Sequence, residues 1–247
     1  MKYLKYTIIS IAFCFQLKAQ NTISFVGVDY SLSTVNSSKG LEAKNRNLLK
    51  VLLERIQTNG DRVVISFIYE NSASVSNQKE FVFKYERPEI KSRRPNTIKA
   101  KNREYDEQEK RAKILFIRTV AKYAFSHKPD RPSTHILSML SLLQNVKNEY
   151  GKFNIYLFSD MLEASDRRVL GNTTFDSAEE AKKVGTSDAE KVAQFYGLEN
   201  DLLHDVQIKV FLPNEDMDNQ TVNQFLNHYW LGAFGRFGLL SSHLKFE

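Results

Sequence analysis

The chain is 247 residues long, with 42% hydrophobic and 26% charged residues and a formal net charge of +6. That composition excludes a disordered, fibrous or collagen-like chain. The single cysteine excludes a disulfide framework and a cysteine-based zinc site.

The N-terminal segment Met1 to Ala19 reads MKYLKYTIISIAFCFQLKA. Lys2 and Lys5 make a cationic start, Thr7 to Leu17 a mostly apolar run, and Ala19 a small residue before polar sequence. This is the order of a secretory signal peptide. The run is too short to span a bilayer as a helix, which needs about twenty residues. Bulky Phe13 directly before Cys14 argues against a lipid anchor on that cysteine. The expected product is a periplasmic or secreted protein. Cleavage after Ala19 removes Cys14, Lys2, Lys5 and Lys18, leaving 32 cations against 29 anions, a net charge of +3. Stability would then rest on packing, without disulfides. No second long apolar run follows, so no transmembrane segment is expected in the mature chain.

Residues 20–247 read as one domain. Gln20 to Val28 contains ISFVGV, a short continuous apolar run ending at Asp29, as expected of a strand buried on both faces. Leu48, Leu49, Val51, Leu52, Leu53 and Ile56 recur at helical spacing, and Asn59-Gly60 closes that helix. Arg62 to Tyr69 is a second β-branched and aromatic run, and Glu80 to Tyr85 alternates as a third, more exposed strand. Residues 84–128 form a basic insertion with fourteen Lys or Arg against six Asp or Glu. Its first part, with Pro88 and Pro95, predicts an irregular loop. Asn102 to Phe125 predicts a helix with Ile114, Leu115, Ile117, Val120, Ala121 and Ala124 on one side.

After Pro132, Ile136 to Val146 carries a broad apolar helical face. Lys152 to Ser159 is another buried-strand candidate and is followed by Asp160. A polar stretch to about Gly185 predicts a surface excursion, Asp188 to Leu203 a helix, and Val206 to Leu212 a strand. Val222 to Phe237 predicts an aromatic-rich helix with the only tryptophan, Trp230, and His243 to Phe246 a last strand. Phe225, Tyr229, Trp230, Phe234 and Phe237 fall at helical spacing and read as core. Alternating strands and helices imply an α/β fold: a doubly wound, mainly parallel open sheet with helices on both faces.

In such sheets ligands sit beyond the carboxyl ends of the strands. Two candidate strands end in aspartate, Asp29 and Asp160, so both acids point at one edge. Asp29 opens the sequence Asp-x-Ser-x-Ser, with Ser31 and Ser33. Hard divalent cations select such oxygen sets, and hydroxyls bind without adding negative charge. Thr134, before a helix, would bring a further hydroxyl from a neighbouring loop.

This pattern resembles the metal-ion-dependent adhesion site (MIDAS) of von Willebrand factor A (vWA) domains, and the resemblance covers almost all of residues 20–247. It implies Asp29, Ser31, Ser33, Thr134 and Asp160 as ligands of a Mg2+ or Mn2+ ion. The ion's open position would take a carboxylate from a protein partner. It also implies a binding module with no catalytic residues and no enzymatic activity. Leu32 and Met161 stand where many members have glycine, which predicts differently shaped loops.

Other readings start from the same residues. A metal-dependent hydrolase acting on a phosphate-bearing substrate would use the same strand-end carboxylates. A scaffold with a vestigial site would bind through its charged surface instead. No phosphate-binding glycine loop or G-x-S-x-G elbow is present. No histidine is placed to activate Ser31 or Ser33. The five histidines, His127, His135, His204, His228 and His243, show no paired metal spacing and read as capping, surface or core residues. Residues 159–218 carry fourteen acids against six bases, so the chain is charge-polarised. Export makes nucleic acid an unexpected partner for the basic segment. Beyond Asp160, the acids Glu163 and Asp166 read as a solvated loop.

Overall fold

The computed structural model describes residues 23–31, 38–70, 72–126, 133–212 and 224–247. The expected signal segment, Leu32, Ser33 and His127 lie outside them. A six-stranded sheet has the order β3-β2-β1-β4-β7-β8. Its strands are β1 (Ile23–Asp29), β2 (Arg62–Ile68), β3 (Gln78–Val82), β4 (Asn154–Phe158), β7 (Gln207–Phe211) and β8 (Leu244–Phe246). All neighbouring pairs are parallel except β2 and β3. The parallel strands are apolar runs because both faces are covered. In β1 all seven residues are buried. The antiparallel edge strand β3 stays partly exposed, as its sequence predicts, but it runs from Gln78 to Val82 rather than from Glu80 to Tyr85, and its exposure does not alternate.

Helices cover both faces. On one lie α1 (Ser38–Arg55) and α2 (Pro95–Ala124), packed against Val26, Val28, Val63, Ile65, Tyr156 and Phe158. On the other lie α3 (Leu140–Tyr150), α4 (Ala178–Tyr196) and α5 (Leu226–Gly235), packed against Phe25, Val64, Ile155, Leu157, Ile208 and Val210. Successive strand residues thus feed opposite cores. A two-residue hairpin, β5 (Ala164–Ser165) with β6 (Arg168–Val169), follows β4.

Several boundaries differ from the sequence expectation. Helix α1 begins at Ser38, well before the Leu48 stripe. Helix α2 begins at Pro95, where proline's fixed φ and missing N–H suit the first turn. Its Ile114 and Leu115 are 44% and 68% exposed, not part of the buried side. The buried residues of α2 are Ile117, Val120, Ala121 and Ala124. Ala112 and Phe116 still pack against the same core, whereas Leu115 points away from it, about 200° around the helix from Ile117.

Helix α4 starts at Ala178, inside the stretch expected to be a surface excursion. The Ser177 hydroxyl accepts the Glu180 N–H at 3.1 Å, and the Glu180 carboxylate accepts the Asp176 N–H at 2.6 Å. The first bond satisfies a donor of the first turn and the second ties the residue before the N-cap to that turn, close to a capping box. The helix ends at Tyr196, with Gly197 at φ 66°, rather than running to Leu203. Gly185 lies within it, at the contact with α5. A Cβ built there would stand 2.0 Å from the Tyr229 carbonyl oxygen, and one on Gly232 would stand 2.1 Å from that of Lys182. Two glycines therefore let these helix backbones touch. Helix α5 is shorter than the expected Val222 to Phe237 segment, whose first two residues lie outside the described residues. Tyr229, Trp230, Phe234 and Phe237 are buried as expected.

Candidate functional site

The chain order reverses between β1 and β4: from β1 it winds outward to β2 and β3, then returns to β4 on the other side of β1. Loops leaving two strands in opposite directions open a crevice at their carboxyl ends. Asp29 is the last residue of β1, and Ser159 and Asp160 follow β4 directly. Both acids therefore stand at the switch point.

Asp29 ties three loops together and is 1% exposed. Its Oδ1 accepts the backbone N–H of Ser31 at 2.8 Å and the Thr134 hydroxyl at 3.3 Å. Its Oδ2 accepts the Ser159 hydroxyl at 2.6 Å, and the Ser159 oxygen in turn accepts the Met161 N–H at 2.9 Å. Asp160, also buried, accepts the Leu162 N–H at 3.0 Å in a local turn. Burial, reinforced by the nearby Asp160 charge, pushes Asp29 up to about 6, although hydrogen bonds from Ser159 and Ser31 oppose this.

The same rim holds a cation. Lys44 lies on the inner stripe of α1 between Gly40 and Leu48 and is 5% exposed. Burial pulls its ammonium down, while Asp29 and Asp160 hold it up. It gives the two carboxylates a compensating charge from within the chain.

Surrounding contacts fix the rim. Met161 adopts φ 60°, the left-handed region that the expected glycine would occupy at no cost. For methionine this costs about 1–2 kcal/mol, and buried contacts hold it there. Its side chain is fully buried, and its carbonyl accepts the Trp230 indole N–H at 2.9 Å. The Thr134 carbonyl accepts the Ala164 N–H at 2.8 Å. Glu163 is fully buried, not solvated as expected, whereas Asp166 is exposed. One Glu163 oxygen accepts the Leu137 N–H at 3.1 Å, at the start of the helical turn leading into α3. Burial raises Glu163 to about 7.

Four of the five expected ligands thus meet at one edge: Asp29, Ser31 and Thr134 in direct contact, with Asp160 close enough for its charge to act on Asp29. The fifth, Ser33, lies outside the described residues. Among the described residues, no three His, Cys, Asp or Glu side chains are grouped to hold a metal. An ion here would need hydroxyl oxygens. Two carboxylates with the Ser31 and Thr134 hydroxyls are an all-oxygen set whose chemistry fits a hard divalent cation. Two contributors escape the sequence reading: Ser159 was legible as a hydroxyl at a strand end, and Lys44 as a charge within an apolar stripe.

No protein-family model matches the sequence, and no curated protein matches it. Among solved structures, similarity extends to proximal thread matrix protein 1 from the mussel byssus, at 9% identity and TM-score 0.40 over 92% of this chain and 43% of that one. It extends to manganese-loaded TRAP protein of Plasmodium vivax, at 12% identity and TM-score 0.38 over 85% of this chain and 62% of that one. It also includes a von Willebrand factor type A structure from Catenulispora acidiphila, at 9% identity and TM-score 0.37 over 88% and 41%. The chain therefore spans less than two thirds of the length of each. No described helix is long and apolar enough to cross a membrane.

Proposed function

We propose that the chain is an exported vWA-type binding module, not an enzyme, that engages a protein partner at the rim between β1 and β4. The observation that carries this reading is the gathering of Ser31, Thr134 and Ser159 around Asp29 at the switch point, beside Asp160. Asp29, Ser31, Thr134 and Asp160, with Ser33, would hold Mg2+ or Mn2+. When bound, the ion supplies an electrophilic position for a partner's Asp or Glu. The chain's own part is to hold the oxygens in place: Ser159 and the Ser31 N–H orient Asp29, the Leu162 N–H orients Asp160, and Trp230 fixes the turn between them.

The test is thermal unfolding of the chain during titration with Mg2+ and Mn2+. Wild type should gain stability saturably, and the conservative Asp160→Asn variant should gain less. A variant that responds like wild type, or a wild type that does not respond, refutes the metal reading. One observation favours a second reading, a scaffold whose rim is charge-balanced internally: the buried Lys44 ammonium beside both acids. On that reading, wild type ignores the ions and Lys44→Met acquires a response to them.

A further inference from the structure

Helix α1 leaves the rim and runs down the sheet, whereas α2 climbs back and ends at the rim, where the chain continues to Thr134. Between the first turns of α1 and the last turns of α2 lies an open groove of about 410 Å³, a size that accommodates large side chains. Leu41, Leu49, Ala121 and Phe125 supply its apolar lining. Leu41 is 46% exposed, and Phe125 packs edge-on against Phe158 at 5.6 Å, directly beneath Ser159 and Asp160. One wall of the groove thus touches the strand that leads into the candidate site.

Arg118 and Lys122, both exposed, line the same groove, and among the described residues no carboxylate does. Elsewhere on α2, Lys101 pairs with Glu104, Lys110 with Glu107, and Arg87 of the preceding segment with Asp106. All four acids of the helix precede Lys110, and none follows it up to Ser126. Among the described residues, Arg118 and Lys122 have no carboxylate partner. Two uncompensated cations above an apolar floor complement one kind of ligand, a chain segment that presents acidic and large apolar side chains together.

We propose that the groove between α1 and α2 binds an acidic, apolar segment of the partner protein, alongside the rim. This inference rests on the reading of the chain as a protein-binding module, but it does not require the metal. The test uses a phage-displayed random peptide library selected on the whole chain in EDTA. Selected peptides should be enriched in Asp or Glu next to Leu, Ile or Phe. A synthetic peptide of that consensus should bind Arg118→Glu/Lys122→Glu about tenfold or more weakly, chiefly through slower association and a flatter salt dependence. Leu41→Asp should weaken binding as well, whereas Lys99→Glu, at a distant and exposed position, should leave it unchanged. Both groove substitutions are on the surface, and matching thermal unfolding would show that the fold is intact.

Peptides without acidic enrichment, or equal binding to the charge-reversed variant, overturn the proposal. Peptides selected only with Mg2+, and lost in Asp160→Asn but not in the charge-reversed variant, also overturn it while supporting the metal reading. Groove binding in a chain whose stability ignores Mg2+ supports the groove and removes the metal.

Discussion

Replacing Lys44 by methionine removes one charge at nearly constant volume and separates electrostatics from packing. Lys44 is 5% exposed and faces Asp29, whose ordinary carboxyl value is raised to about 6. At pH 8 Asp29 is ionised, so the variant leaves buried carboxylates without their cation, and a loss of about 3–5 kcal/mol is expected. At pH 5 Asp29 is roughly nine-tenths protonated at that value. The ammonium's own desolvation cost also disappears, so the loss should shrink to about 1 kcal/mol or less. The sign follows from linkage. A carboxyl raised in the folded state costs stability as pH climbs from its ordinary value through the raised one, and deleting Lys44 raises it further. Urea unfolding at both pH values measures the difference. Where the ion binds, Mg2+ at about a hundredfold excess over its dissociation constant should return about 2.7 kcal/mol at pH 8. Equal losses at pH 5 and pH 8 would refute the reasoning and reduce Lys44 to a packing residue.

Gly185→Ala and Gly232→Ala should each destabilise by about 3 kcal/mol or more, seen as a lowered melting temperature, because the added methyl meets backbone at 2.0 and 2.1 Å and cannot be absorbed by a rotamer change. Glu163→Gln keeps an acceptor for Leu137 but cannot ionise. Wild type should lose up to about 3 kcal/mol relative to it between pH 4.5 and pH 8, as the carboxyl raised to about 7 gives up its proton inside the fold. Trp230→Phe leaves the Met161 carbonyl without its indole donor and should cost about 1–3 kcal/mol in chemical unfolding. It should also weaken any Mg2+ response, because the left-handed turn after Asp160 loses its anchor.

The sheet was legible because its strands carry the simplest signal, short apolar runs ending in polar residues. Ile23 to Asp29 and Asn154 to Phe158 fall where the sequence puts them, and their parallel pairing brings Asp29 and Asp160 to one edge. Helix boundaries were harder, since they depend on end chemistry rather than periodicity. Ser177-Ala-Glu-Glu180 was a readable start that the polar composition of its surroundings concealed. Gly185 was read as the end of that polar stretch, because its contact with Tyr229 is a tertiary fact. The same holds for Ile114 and Leu115: Leu115 stands about 200° around the helix from Ile117, and the core is met here by Ala112 and Phe116, a choice that tertiary packing makes. At the site, the ligand types were visible in one dimension and the compensating charge was not. Lys44 becomes a neighbour of Asp29 only once α1 begins at Ser38 rather than at the first leucine pair.

Helix α2 has one more consequence. Its thirty residues extend about 45 Å, whereas the seven residues of β1 cover only about 23 Å. The far half of the rod is a cantilever, braced by the Tyr85 hydroxyl on the Tyr105 carbonyl and by Arg87 on Asn102. A fluorophore or surface tether fixed at exposed Lys99 would report on capture events without burdening the distant crevice.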